Sequence, residues 1–292
     1  MKARMCYYVG QSNSQKYPSR LAMPLVLECR EKLPLPVQVR GVLPRPMSKL
    51  TRTQIEKFPI IVGCRNEELG SIFQVSGDSA DSKLIMEGHL QNVHWIGHKL
   101  TGGTIETKSS IGRHAGSRMS GGRLMVHGDA TDFVGVEMSG GWIQIDGDAG
   151  DIVGGNYPGS NLGMNRGTIV IHGSAGAGLG QQMRRGTIVV CQNAGDLIGW
   201  NMVAGSILVV GNAGNHVGLG MKRGSIFLFR KTGLPPSFRA GGMAEFTIAK
   251  MLASFLGRHV GAADFSALHG PLRLFHGDQL TGGKGEIFQA AS

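Results

Sequence analysis

Short runs in which apolar and small or polar residues alternate recur along most of this chain, each opened by a glycine. Gly103, Gly122, Gly141, Gly167, Gly186, Gly205 and Gly224 stand at the heads of such runs, at spacings of 19, 19, 26, 19, 19 and 19 residues. The single 26 is the same period with seven residues inserted. Two positions after each glycine come Ile105, Leu124, Ile143, Ile169, Ile188, Ile207 and Ile226; four positions after come Thr107, Val126, Ile145, Ile171, Val190, Val209 and Leu228. Successive strand residues point to opposite faces, so these two positions share one face. Apolar in nearly every repeat, they predict the interior. A fixed period of this size predicts a solenoid rather than a layered domain. The expected architecture is all-β: a parallel β-helix of about seven to eight 19-residue coils, with strands ~4.8 Å apart and seven coils spanning about 30–35 Å.

A second glycine recurs later in each repeat, at Gly116, Gly135, Gly154, Gly180, Gly199 and Gly218. It predicts a corner that needs a positive φ or close backbone approach, where Gly→Ala costs about 1 kcal/mol or more. Met119, Met138, Met164, Met183, Met202 and Met221 follow in register. Methionine fills irregular core gaps, so this column is expected inside the rod. The seven-residue insertion, Asn156 to Leu162, should bulge from one corner, and loops leaving a rigid scaffold often carry function.

The ends break the period. Residues 1–22 are basic, contain no Asp or Glu, and lack the apolar stretch of a secretory signal; a loose extension is expected there. Residues 23–82 read as a small N-terminal cap, with strand-like "LVLECRE" and "VQVRG", a short helix opened by a Thr51–Gln54 capping box, and a strand in "SIFQVSG". Residues 83–229 form the glycine-rich rod, beginning with a degenerate coil. In the C-terminal segment 230–292, Ile248, Met251, Leu252, Phe255 and Leu256 predict an amphipathic helix over 242–256.

Composition narrows the function classes. Glycine supplies 47 of 292 residues, without a Gly-X-Y triplet, and hydrophobic residues make up 41%. Collagen and disorder are both excluded by that combination. The net charge of +10 suits an acidic partner or an anionic substrate. Aromatics are only 6% and do not interleave with the basic residues, so nucleic acid is not expected. Cys6, Cys29, Cys64 and Cys191 are scattered, which argues against a zinc site, an iron–sulfur cluster or a disulfide framework and for a reducing cytoplasm. No run of 18 apolar residues exists, so no membrane span is expected.

Little in the sequence points to chemistry. His94 and His98 are four apart but not on a helical segment, and His127 and His172 share a repeat position that elsewhere holds Asp146, Cys191 and Val210, which predicts a solvent-facing turn. "DGDAGD" at 146–151 matches no calcium-loop spacing and reads as a polar turn. No phosphate-binding loop or nucleophile elbow matches. The expectation is therefore no catalytic, cofactor-binding or metal-binding residue in this chain, with an anion-binding loop at Asn156–Asn165 as the one alternative. Two outward features suggest contact instead. The position facing away from the interior becomes apolar at Val170, Val189, Leu208 and Phe227, a strip expected to be a subunit interface or to lie under the C-terminal helix. As an interface it predicts that Leu208→Asp with Phe227→Asp weakens assembly without unfolding the coils. Arg166, Arg184, Arg185, Lys222 and Arg223 precede anchor glycines and should align as a basic stripe, either a solvated face or a docking surface for an acidic partner.

The pattern G-[TS]-I-x-[VI] … A-G-x-x-[VI]-G-x-x-M-x-x-G resembles the glycine-rich domain that ends the glutamate synthase large subunit. The coils "GGNYPGSNLGMNRGTIVIHG" and "CQNAGDLIGWNMVAGSILVVG" resemble more closely the C-subunit family of formylmethanofuran dehydrogenase, and within it the bacterial formyltransferase/hydrolase complex. The resemblance covers about residues 70–235. It implies a right-handed parallel β-helix and a non-catalytic subunit, cytoplasmic, in a complex that converts formyl-tetrahydromethanopterin, via a methanofuran-type carrier, to formate. Metal, tetrahydromethanopterin and the carrier would be held by partners: a metal-dependent amidohydrolase-like subunit, a formyltransferase subunit and a dehydrogenase-like subunit. A tungsten or molybdenum formylmethanofuran dehydrogenase, or a glutamate-synthase-like domain, stays as the alternative.

Overall fold

The computed structural model describes residues 23–78, 81–260 and 264–290, so the expected extension over residues 1–22 lies outside the described residues. Its backbone is a thirteen-stranded sheet in which ten consecutive strands run parallel. They are Leu25–Cys29, Lys83–Gly88, Thr101–Thr107, Gly121–Val126, Ser139–Ile145, Arg166–Ile171, Thr187–Val190, Ser206–Val209, Arg223–Leu228 and Lys284–Ala290. Equivalent residues of successive repeats are register partners: Ile143 with Ile169, Ile169 with Ile188, Ile188 with Ile207, and Ile207 with Ile226. The stacked isoleucines are fully buried, as are Thr107, Ile145, Ile171, Val190 and Val209. The two inward columns predicted from the period are thus the core of the protein.

Two further columns tie one repeat to the next. Ile111, Ala130, Ala149, Ala175, Ala194 and Ala213 form successive parallel bridges, small residues where backbones approach closely. At the corner, the amide of Gly135 donates to Ala115 O, that of Gly154 to Val134 O and that of Gly180 to Val153 O, each at 2.8 Å. These glycines have φ between 61° and 67°, and a Cβ on Gly154 would lie 2.5 Å from Ile188 Cδ1. The corner is left-handed so that the chain can turn, and bare so that the isoleucine column can pass beneath it. The methionines Met119 to Met221 are all buried, as the period predicts. "DGDAGD" is a polar turn whose carboxylates bond the next repeat. Asp148 Oδ1 accepts from Ser174 N–H at 2.7 Å, and Asp151 Oδ1 from Ala177 N–H at 2.7 Å.

The ends of the parallel stack are closed by antiparallel strands: Gln74–Ser76 at one end, Leu272–Gly277 followed by Arg239–Ala244 at the other. The Thr51–Gln54 capping box opens the helix Arg52–Glu56 as the sequence predicts. Three features differ from expectation. The strand Leu25–Cys29 pairs in parallel with Lys83–Gly88 and so belongs to the long sheet, not to a separate cover. The period does not end at Leu228: after a 55-residue excursion over residues 229–283, Lys284–Ala290 returns to the stack, with Gly285 opposite Gly224 and Ile287 opposite Ile226. The C-terminal helix spans Thr247–His259 rather than 242–256. Residues 242–244 are drawn into the strand Arg239–Ala244, whose ladder bonds outcompete a helix start at Gly242, and Gly257 is carried through in the last helical turn with open space around it.

Candidate docking surface

The outward apolar strip is covered. Val170, Val189, Leu208 and Phe227 are at most 1% exposed and form a second apolar cluster with Ala249, Ala253 and Leu256 of the C-terminal helix and with Val260, which caps it. Phe288 continues the strip into the last strand, its ring stacked on Phe227 at 4.7 Å. Phe265, Leu268 and Leu272 close the cluster. An apolar wall four repeats long costs free energy if left in water, and the excursion supplies a helix to cover it. The strip is therefore an internal contact, not a surface open to another subunit, and the expected interface at these four residues is corrected accordingly.

The basic stripe is exposed. Arg166, Arg184, Arg185, Lys222 and Arg223 all reach solvent on the face just before the anchor glycines, and Lys284 joins them as the register partner of Arg223. Arg184, Arg185, Lys222, Arg223 and Lys284 line a groove of about 670 Å³ with Asn165, Thr281 and Gly282. None of these cations forms a salt bridge among the described residues, and no carboxylate lines the groove. A smaller hollow of about 380 Å³ continues it through the shared Asn165 and Arg184 to Leu162, Arg118 and Glu137. There the charges are matched: Arg118 Nε sits 2.7 Å from Glu137 Oε2.

The insertion stands over this second hollow and is held from behind. Trp95, His114 and Phe133, one repeat apart, stack with ring centroids at 4.0 and 5.0 Å, and Tyr157 of the insertion lies beside all three. The Tyr157 hydroxyl and His114 Nδ1 share a hydrogen bond of 3.1 Å. Arg40 lies 3.7 Å above the Trp95 ring, and Asn156, almost fully buried, donates to the Tyr157 carbonyl at 3.0 Å and to that of Ser160. Burial lowers the pKa of both His98 and His114 to about 4, helped by Lys99 and Arg40 beside the first and by His94 and Arg40 beside the second. Both rings are neutral at pH 7. The insertion is thus a fixed abutment, and the aromatic column that fixes it escaped the sequence reading. Its signal was there: Trp95, His114 and Phe133 lie 19 residues apart.

The remaining titratable groups on the strand wall hold one another. Hydrogen bonds from Lys108, then Lys83, bring Glu106 down to about 2, and His127 bridges Glu106 and Asp146 at 3.1 and 2.6 Å. The repeat position of His127 is therefore a rung of polar contacts, not a free turn. Cys191 Sγ lies 3.9 Å from His172 Nδ1, and burial pushes its thiol up to about 11, so the protonated form is favoured at pH 7. Among the described residues no three His, Cys, Asp or Glu converge as metal ligands, and no helix is long and apolar enough to cross a membrane.

A family model described as the GXGXG motif matches residues 90–238. The C subunit of the tungsten-containing formylmethanofuran dehydrogenase 2 is 33% identical to this chain in Methanothermobacter marburgensis and 34% in Methanothermobacter thermautotrophicus, over 97 residues each. Those alignments cover 32% of this chain, which thereby spans about a third, 36%, of the curated relatives' length. A solved chain of the formyltransferase/hydrolase complex (FhcABCD) from Methylorubrum extorquens, crystallised with methylofuran, is 36% identical, with a TM-score of 0.84 over 91% of this chain and 100% of that one. The match to the family model and the end-to-end likeness in structure and sequence place the chain: it belongs to the GXGXG-motif family and, within it, to the C-subunit family shared by formylmethanofuran dehydrogenases and the formyltransferase/hydrolase complex.

Proposed function

We propose that this chain is a non-catalytic structural subunit of a formyltransferase/hydrolase complex, one that takes the formyl group of formyl-tetrahydromethanopterin through a methanofuran-type carrier to formate. The observation that carries this is the end-to-end likeness, at 36% identity, to a chain of such a complex. The likeness to the tungsten enzyme covers a third of the chain, which favours the formate-releasing complex over a CO2-reducing one. The columns of parallel pairing that recur with each repeat support a parallel β-helix as the rod's form, and the family likeness implies that it is right-handed. The protonated Cys191 thiol and the ion-paired Glu106 support a chain that leaves the chemistry to others. Its partners in this reading are an amidohydrolase-like subunit that holds the metal, a formyltransferase subunit and a dehydrogenase-like subunit. The carrier and tetrahydromethanopterin are bound there. The test is capture of the tagged chain from its own cell extract, with the captured proteins identified by mass spectrometry. Amidohydrolase and formyltransferase subunits in constant ratio are expected; a molybdopterin-type dehydrogenase in their place would move the chain to the CO2-reducing complex, and capture of the chain alone would remove the reading.

A further inference from the structure

We infer that the basic groove between the insertion and the Gln279–Thr281 turn is the docking site for an acidic, extended segment of a partner subunit; the inference rests on the proposed membership of a complex. Five cations line the groove without a counter-charge among the described residues. Arg223 and Lys284 stand directly opposite each other on neighbouring strands. Like charges in that position weaken a sheet. Other cations on the strand wall do meet a carboxylate, Lys83 at Glu106 and Arg118 at Glu137. Five cations gathered in one groove with no carboxylate in its lining form an arrangement whose counter-charge comes from outside.

Length and lining say what kind of anion fits. Of the lining cations, Arg185 stands two residues before the strand Thr187–Val190, and Arg223 and Lys284 open theirs, three inter-strand steps from first to last. At ~4.8 Å per step that is roughly 14 Å, longer than one phosphate or carboxylate and about the span of four extended residues. No aromatic ring lines the groove or the adjoining hollow. Base stacking, the usual sequence-tolerant grip on single strands, has no platform there. Exposed leucines lie near it: Leu162 of the insertion, 54% exposed, in the adjoining hollow, and Leu280, 83% exposed, next in the chain to the lining residue Thr281. Apolar anchors beside a charged centre suit a protein segment that carries acidic residues with apolar side chains nearby. Such charge rows steer association and set its salt dependence.

The experiment compares partner capture by the tagged full chain, wild type and Arg185→Glu/Arg223→Glu, at low and high salt. The wild type is expected to keep its partners at about 50 mM salt and to lose them progressively toward about 0.5 M. The double variant is expected to capture about tenfold less even at low salt, with an unchanged melting temperature. Lys57→Glu, a reversal of the same sign on the N-terminal region, should capture normally, and Leu280→Ser should weaken capture without altering its salt dependence. If the reversal variant fails to fold, Arg185→Gln/Arg223→Gln takes its place with the same expectation. Normal capture by the folded groove variant overturns the inference while leaving complex membership intact. Equal loss in Lys57→Glu overturns it too, because net charge and not the groove would then be the cause. Groove variants that keep their protein partners but shed nucleic acid or a small polyanion assign the groove to that ligand and also overturn it. A wild-type chain that captures nothing removes complex membership itself.

Discussion

Replacing Leu208 and Phe227 together by Asp is expected to release the C-terminal helix from the strand wall while the stack behind it stays folded. Both side chains are buried, Leu208 at 0% and Phe227 at 1% exposure, against Ala249, Ala253 and Leu256. Two carboxylates placed there have no cation within the cluster, and burying an unpaired charge costs several kcal/mol. The chain can avoid that cost by lifting the helix off. A 13-residue helix is marginal alone in water, so a detached Thr247–His259 would also unwind. The inward residues of the same strands, Ile207, Val209, Ile226 and Leu228, face the opposite side and keep their contacts. Hydrogen exchange checks this directly: amides of 247–259 should lose protection by about a hundredfold or more, with those of the Thr187–Val190 and Arg166–Ile171 strands unchanged. Full protection of the helix in the double variant would show that this face does not hold it.

Gly186→Val should cost about 3 kcal/mol or more. Gly186 has φ +105°, and a Cβ there would stand 2.8 Å from Met164 Cε and 2.9 Å from the Gly167 carbonyl oxygen. A β-branched residue is a severe outlier at positive φ, and here the added carbon also meets the backbone of the preceding repeat, which cannot swing aside as the tip of a methionine can. The same collision recurs at Gly205 with Met183 Cε at 2.9 Å and at Gly224 with Met202 Cε at 2.8 Å, so the anchor glycines and the methionine column are one device. Thermal unfolding should place the variant about 6–12 °C below wild type. Gly233→Ala, where nothing lies within 4 Å of the added carbon, should stay within about 0.5 kcal/mol. Equal stability of both variants would contradict the packing described between the anchor glycines and the methionine column.

What could be read from the sequence was what repeats. Ile169, Ile188 and Ile207 share a phase because they share a wall, and Met164, Met183 and Met202 share one because each fills the space beside an anchor glycine. A period is local information, available from spacing alone. Contacts made by the excursion were not local. Gly285 and Ile287 repeat the anchor pattern, but 61 residues separate them from Gly224 and Ile226, so the phase was lost and the last strand went unseen. The apolar phase of Val170, Val189, Leu208 and Phe227 showed that something must cover it; whether that was the chain's own helix or another protein depended on where residues 247–260 return in space. The start of that helix was misplaced because the pairing of Arg239–Ala244 with Leu272–Gly277 is a tertiary fact. The insertion was visible as a broken period, yet its Tyr157 latch onto His114 required knowing that position 95 and its repeats point outward at one corner. The basic stripe was legible as far as Arg223, since Arg185 and Arg223 sit just before anchor glycines, but its continuation to Lys284 was not.

The central claim is that this chain holds a formyl-handling assembly together and does none of its chemistry. The most direct measurement is formate release from a formyl-carrier substrate by the purified partner subunits, by this chain alone, and by the two recombined. The account predicts no formate from this chain alone, weak or uncoupled release from the partners alone, and recovery of coupled turnover on recombination. Formate produced by this chain in isolation, or full coupled turnover without it, would contradict the account.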